Sequence, residues 1–200
     1  MNEDIQHQIQ ALKKDFHALM NGPVSASLRE KGLNYRVIYG IEWNRLNDIA
    51  VSIGKNAELA GALWKEDIRE CRLLAGLVQP ADKFPEDLAE IWIESMHYPE
   101  EAQYTTLSLF QHLPYAKRAA FHWIAREELM FQLCGFLLFS RLFMKENCIV
   151  DDNSANEFLD QTQSLLNTGN AALNSAIRNA LAKYALLGVI EENRVKRILQ

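Results

Sequence analysis

Along nearly its whole length the chain repeats apolar residues at steps of three and four. Ile5, Ile9, Leu12, Phe16 and Leu19 form the first such stripe, which ends before Gly22-Pro23. Polar and charged residues fill the positions between, so the stripe predicts a helix with one buried face. Ser25 or Ser27 is placed to cap a short second helix that stops at Gly32. Residues 34–41, NYRVIYGI, alternate enough to predict an extended connection, and Gly40 leads into a helix over 42–53 that Gly54 breaks. Three helices then follow between 58 and 95 with very short connections. Leu59, Leu63 and Trp64 line the first, Ile68, Cys71, Leu74, Ala75 and Val78 the second, and Leu88, Ile91, Trp92 and Met96 the third. Further helices are predicted over 99–112, 117–125, 127–147, 156–166, 171–186 and 191–199, with the most polar loop at 148–154.

No long two-residue alternation and no Asn-Gly or Asp-Gly hairpin turn interrupts this series. Helices of similar length joined by short loops predict an all-α stack of antiparallel neighbours. No linker or low-complexity tract divides it, so residues 1–200 read as a single domain. The stripes place Trp64, Leu74, Leu88, Trp92, Leu133, Leu137 and Ile177 in its core.

Composition narrows the function classes. With 200 residues, 48% of them hydrophobic, the chain is long enough for a well-buried core. Cys71, Cys134 and Cys148 are scattered and odd in number, the pattern of reduced thiols rather than a disulfide framework. The polar start, MNEDIQHQIQ, is no signal peptide, and the most apolar run, 129–144, is shorter than the roughly 20 residues needed to span a bilayer. A cytoplasmic protein with no membrane partner is expected. The formal charge of -5 counts against broad affinity for nucleic acid, which usually requires a basic face.

Candidate chemistry is sparse. His7, His17, His97, His112 and His122 make no metal-ligand spacing, and no phosphate loop or nucleophile elbow occurs, so neither metal nor cofactor is expected. Glu100-Glu101, Glu127-Glu128 and Glu191-Glu192 sit at predicted helix starts, where carboxylates complement the macrodipole. Trp64 and Trp92 fall within apolar stripes, whereas Trp43 and Trp123 are left open between packing and base stacking. Lys117 and Arg118, with Arg126 eight residues on, form one basic cluster, and Arg194, Lys196 and Arg197 another.

Several segments together resemble the DNA alkylation-repair glycosylases of HEAT-like repeat architecture, the AlkD-like family. They are Tyr39-Gly40-Ile41 with Leu46-x-x-Ile49-Ala50, then Trp64-Lys65 with Arg69-Glu70-x-Arg72-Leu73-Leu74-Ala75. Glu127-Glu128, and Ala176-Ile177 with Ala180-Leu181, complete the set. The resemblance implies HEAT-like antiparallel helical repeats stacked into a curved α-solenoid. It implies a concave groove in which active members excise positively charged alkylated bases without flipping them into a pocket. Two tryptophans and an aspartate approach the damaged nucleotide there, and arginines hold the backbone.

Those functional positions are replaced in this chain. The family's Asn-Trp-Asp-x-x-Asp segment is matched by His97-Tyr98-Pro99-Glu100-Glu101-Ala102, so Ala102 stands where the catalytic aspartate belongs. Glu-Trp-x-Arg-Arg is matched by Glu128-Leu129-Met130-Phe131-Gln132, and the second tryptophan falls at Asn179. No aspartate lies between Asp87 and Asp151, and no tryptophan follows Trp123. The resemblance therefore implies a member of the family that lacks efficient glycosylase activity and serves as a non-catalytic binding module. Its partner would be DNA bound weakly through Lys117, Arg118 and Arg126, or a protein held in the groove. The alternative is an active glycosylase for alkylated purines with Tyr98 and Glu101 as replacement groups.

Overall fold

A computed structural model describes residues 3–145, 150–166 and 169–199. Among them lie twelve α-helices and two short 3-10 turns, and the sole β feature is an isolated parallel bridge between Val37 and Ile68. The helices are all-α HEAT-like repeats, and they fall into two compact units, one running to Phe84 and the other from Pro85. None of the described helices is long and apolar enough to cross a membrane.

In the first unit, α1 (Glu3–Ala18) buries Ile5, Ile9, Leu12 and Phe16, the stripe read from the sequence. The second helix, α2 (Gly22–Glu30), starts earlier than expected. Its cap is Asn21, whose side chain accepts from the Val24 N–H at 3.2 Å, while the Ser25 hydroxyl donates to the Ile38 carbonyl at 2.8 Å. A serine inside the first turn is thus turned toward the next segment and cannot cap. Next come α3 (Trp43–Ile53), α4 (Ala57–Trp64) and α5 (Arg69–Val78), with α5 packed against both α3 and α4.

The charges within α5 do not mark a solvent face. Arg69, Glu70 and Arg72 are all buried. The Glu70 carboxylate accepts the N–H groups of Tyr39, Gly40 and Ile41 at 3.0, 2.9 and 3.3 Å. Arg69 donates to that carboxylate and to the Ile41 carbonyl, at 3.3 and 3.2 Å. The connection over 34–41 is therefore fastened by side chains at its end, over 39–41, and by the single backbone bridge of Val37 further up, because no full strand lies beside it to take its polar groups. Gly40 is required at this point: its φ is +77°, and a Cβ would lie 2.4 Å from the Asn21 carbonyl oxygen. Arg72 stacks on the Trp64 ring at 4.2 Å and donates to the Trp64 carbonyl at 2.9 Å.

The second unit holds α6 (Glu86–Glu94), α7 (Pro99–Ser108), α8 (Ala116–Ile124), α9 (Leu129–Leu142), α10 (Asp152–Leu165), α11 (Ala171–Ala185) and α12 (Val189–Ile198). Its centre is α9, which packs against α6, α7, α8 and α11. At Gly135 an added Cβ would stand 2.6 Å from Ile124 Cγ2, so the missing side chain lets α8 and α9 approach closely. Phe136, Phe139, Phe143, Phe158 and Tyr184 form a ring cluster beside it, with neighbouring centroids 4.9 to 6.2 Å apart. The helix expected over 99–112 ends at Ser108, and a 3-10 turn covers Phe110–His112. Asp151 caps α10 by accepting from the Ser154 N–H at 3.0 Å, four residues before the expected start.

Of the expected core residues, Trp64, Leu74, Trp92, Leu133 and Ile177 are buried, whereas Leu88 and Leu137 are only half-buried. Both belong to stripes wider than the face their helices actually cover. Cys71 and Cys134 are free thiols with no surface, and burial pushes the Cys71 thiol up to about 12. Cys148 lies outside the described residues.

Leu74→Ala should cost ~2–5 kcal/mol in a denaturant titration, and Leu137→Ala clearly less because part of its side chain already meets water. Glu70→Ala should cost ~3 kcal/mol or more, since three backbone donors lose their acceptor together.

Candidate nucleic-acid interface

The positions that the family resemblance singles out all fall in the second unit. Tyr98 is the N-cap residue of α7, half-exposed, with its ring edge-on to His97 at 6.3 Å. Glu101, one turn into α7, is fully buried. Its Oε2 accepts the N–H of His97 at 2.6 Å and of Tyr98 at 3.1 Å. This carboxylate closes the start of α7 in the manner of a capping box. Ala102 beside it, which the resemblance matches to the catalytic aspartate, is also buried and contributes a methyl group to the core.

At the start of α9, Phe131 is buried under the Arg126 guanidinium, 4.4 Å from ring centroid to Cζ. Gln132 donates to the Arg126 carbonyl at 2.8 Å. Phe131 and Gln132, which the resemblance matches to the family's arginines, therefore hold the turn before α9. Asn179 lies exposed on α11. Trp123 is fully buried 5.0 Å from Phe110, Trp64 and Trp92 are buried, and Trp43 is half-buried. Trp123 is thereby assigned to the core and Trp43 offers at most part of a face.

The basic candidates are brought to one element. Lys117 and Arg118 lie in the first turn of α8, and Arg126 follows just beyond its end, ~12 Å further along the axis. Lys117 and Arg118 are exposed. With Pro114, Tyr115, Phe121 and Ser154 they line an open depression of about 460 Å3. The helix dipole adds positive potential there.

Each arginine is already met by a carboxylate. Arg118 reaches Glu86 Oε2 at 2.5 Å. Arg126 grips Glu128 with two bonds, at 2.8 and 3.1 Å, and lies 3.7 Å from Glu90. His122 stands 3.3 Å from the same Glu90. The Arg126 hydrogen bond holds the Glu128 carboxyl down at about 2. Residues 1–84 carry eleven Lys and Arg against eleven Asp and Glu, whereas 85–200 carry ten against fifteen, so the whole formal charge of -5 sits in the unit that holds the candidates. Among the described residues no group of three His, Cys, Asp or Glu could hold a metal ion. Sequence reasoning missed Glu86 and Glu90, although their four-residue spacing matches that of Arg118, His122 and Arg126.

Comparison with known proteins adds the family. The model of the DNA alkylation repair enzyme family matches residues 11–186, most of the chain. The protein belongs to that family. No curated protein matches it in sequence. A solved structure with 17% identity superposes with a TM-score of 0.84, covering 94% of this chain and 80% of its own. That structure represents a new family of proteins related to the HEAT-like repeat DNA glycosylases with affinity for branched DNA structures. At such identity the likeness concerns the fold of this DNA alkylation repair family member.

Two outcomes check this geometry. Glu101→Ala should lower stability by ~1–3 kcal/mol or more, because two amides lose a charged acceptor. Glu128 should titrate near 2 by carboxyl NMR, and Arg126→Ala should return it toward the ordinary value of ~4.3. A depressed carboxyl favours the folded state above that ordinary value, and the gain is lost as pH falls through about 2.

Proposed function

We propose that this member of the DNA alkylation repair family binds DNA and does not excise bases. The observation that carries the reading is Glu101. It is the carboxylate next to the family's catalytic position, yet it has no exposed surface and is engaged by two backbone N–H groups. Glycosylases of this kind gain rate by stabilising positive charge on base and sugar, which needs a carboxylate aimed at the nucleotide. Tyr98 offers one aromatic face, worth ~0.5–2 kcal/mol to a cation. Enzymatic acceleration needs on the order of 8 kcal/mol or more.

The binding surface we propose is the depression at the start of α8, with Lys117 and Arg118 as phosphate contacts and Arg126 as a third. The affinity for branched DNA structures described for the structural relative is extended here to this chain. An acidic protein whose arginines are paired has little to offer a linear duplex. Where arms of a junction meet, phosphates crowd together and a few cations gain more.

Fluorescence anisotropy with a four-way junction and a linear duplex of matched length tests the reading. The junction should bind tighter, alanine at Lys117 should lower the slope of log affinity against log salt by about one, and alanine at Arg118 or Arg126 should lower it by less, because each is held by a carboxylate. Equal, tight binding of both DNAs that survives all three substitutions would contradict it.

A further inference from the structure

Two helices of the second unit carry charge at matching intervals. On α6, Glu86, Glu90 and Glu94 recur every four residues; along α8 and just past its end, Arg118, His122 and Arg126 do the same. A four-residue step keeps each set on one side of its helix. The rows meet in register at two rungs, Glu86 with Arg118 at 2.5 Å and Glu90 with His122 at 3.3 Å; Arg126 lies 3.7 Å from Glu90 and is gripped more closely by Glu128 at 2.8 Å. Glu94 adds its field at Arg126.

Exposure within the rungs is uneven. The Arg118 side chain is 72% exposed and its Glu86 partner 28%; His122 is 51% exposed and Glu90 25%. At both rungs the carboxylate lies beneath its partner, so anything arriving from solvent meets Arg118 or His122 first. Ordinary surface pairs stabilise a fold very little. Two in register, one of them at the Arg118 that lines the basic first turn of α8, call for another account.

We infer that Glu86 and Glu90 are specificity-determining residues that set a threshold on which DNA the α8 face accepts. This rests on the DNA-binding reading above and adds the source of its selectivity. A phosphate approaching Arg118 finds a cation whose charge is already balanced, and little counterion release accompanies the contact. It must compete with a carboxylate held in place by the fold. One strand of a linear duplex supplies too few phosphates at the right spacing to win on several rungs together. A junction supplies phosphates from two arms at once, and the rungs yield. The acidic row thus costs affinity for all DNA and costs linear DNA most.

The test is the double variant Glu86→Gln with Glu90→Gln. Glutamine keeps the shape and a hydrogen-bond acceptor for the arginine while removing the charge. Arg118, so released, should add about eight-fold to affinity at ~0.1 M salt and steepen the salt slope by nearly one. We expect the linear duplex to gain about that much, the four-way junction to gain less, and the junction-to-duplex preference to shrink. Glu157→Gln with Asp160→Asn, on the exposed side of α10, changes the net charge equally and should leave the preference intact. Circular dichroism melts confirm folding of each variant, and Glu86→Gln alone is read if the double variant does not fold. Gate removal should also lose its effect on an Arg118→Ala background. Unchanged or weaker duplex binding in the double variant overturns the inference, as does an equal gain in the α10 control. If the parent itself shows no junction binding at low salt, the DNA-binding reading fails first and takes this one with it. A parent that prefers junctions, with variants that keep that preference, defeats the threshold alone.

Discussion

Backbone N–H groups in the segments that leave a helix must find an acceptor when they are buried, and in this chain two carboxylates supply it. Glu70 receives three such groups from the connection over 39–41, and Glu101 receives two at the entry to α7. A carboxylate hydrogen-bonded to several backbone donors is roughly twice as strongly held as a neutral acceptor would be. Its removal leaves those donors without compensation. Each unit thus depends on one buried acid placed where regular secondary structure cannot close its own hydrogen bonds.

That constraint bears directly on function. A carboxylate available for chemistry must face the ligand with its lone pairs uncommitted, and Glu101 faces the protein's own backbone. The residues at the other family positions are similarly occupied by structure: Ala102 in the core, Phe131 under Arg126, and Gln132 on the Arg126 carbonyl. Arg118 and Arg126 remain on the surface, each met by a carboxylate.

Much of the fold was legible in the sequence because helical period is a strong signal. The stripe of α1 and the burial of Leu74, Trp92 and Ile177 followed from it directly. The misreadings have specific physical causes. Asn21 caps α2 because the serines that look like caps, Ser25 and Ser27, already lie inside the helix, which period alone does not show. The burial of Arg69, Glu70 and Arg72 is not visible in the helical period, and only the tertiary contacts of Tyr39, Gly40, Ile41 and Trp64 explain it. Leu88 and Leu137 sit at the margins of their stripes, where partial exposure depends on the neighbouring helix. At the candidate site, the basic residues were visible and their partners were not. A rung needs two helices in register, and sequence presents only one at a time.

The central claim, that the acid beside the family's catalytic position serves the fold and not the reaction, is tested most directly by single-turnover release of 7-methylguanine from methylated DNA. The parent protein and Glu101→Gln should be compared under identical conditions. The account predicts release at the uncatalysed rate from both proteins, with the substitution visible only as a lower melting temperature. Release well above background by the parent, abolished in Glu101→Gln while the fold persists, would contradict it.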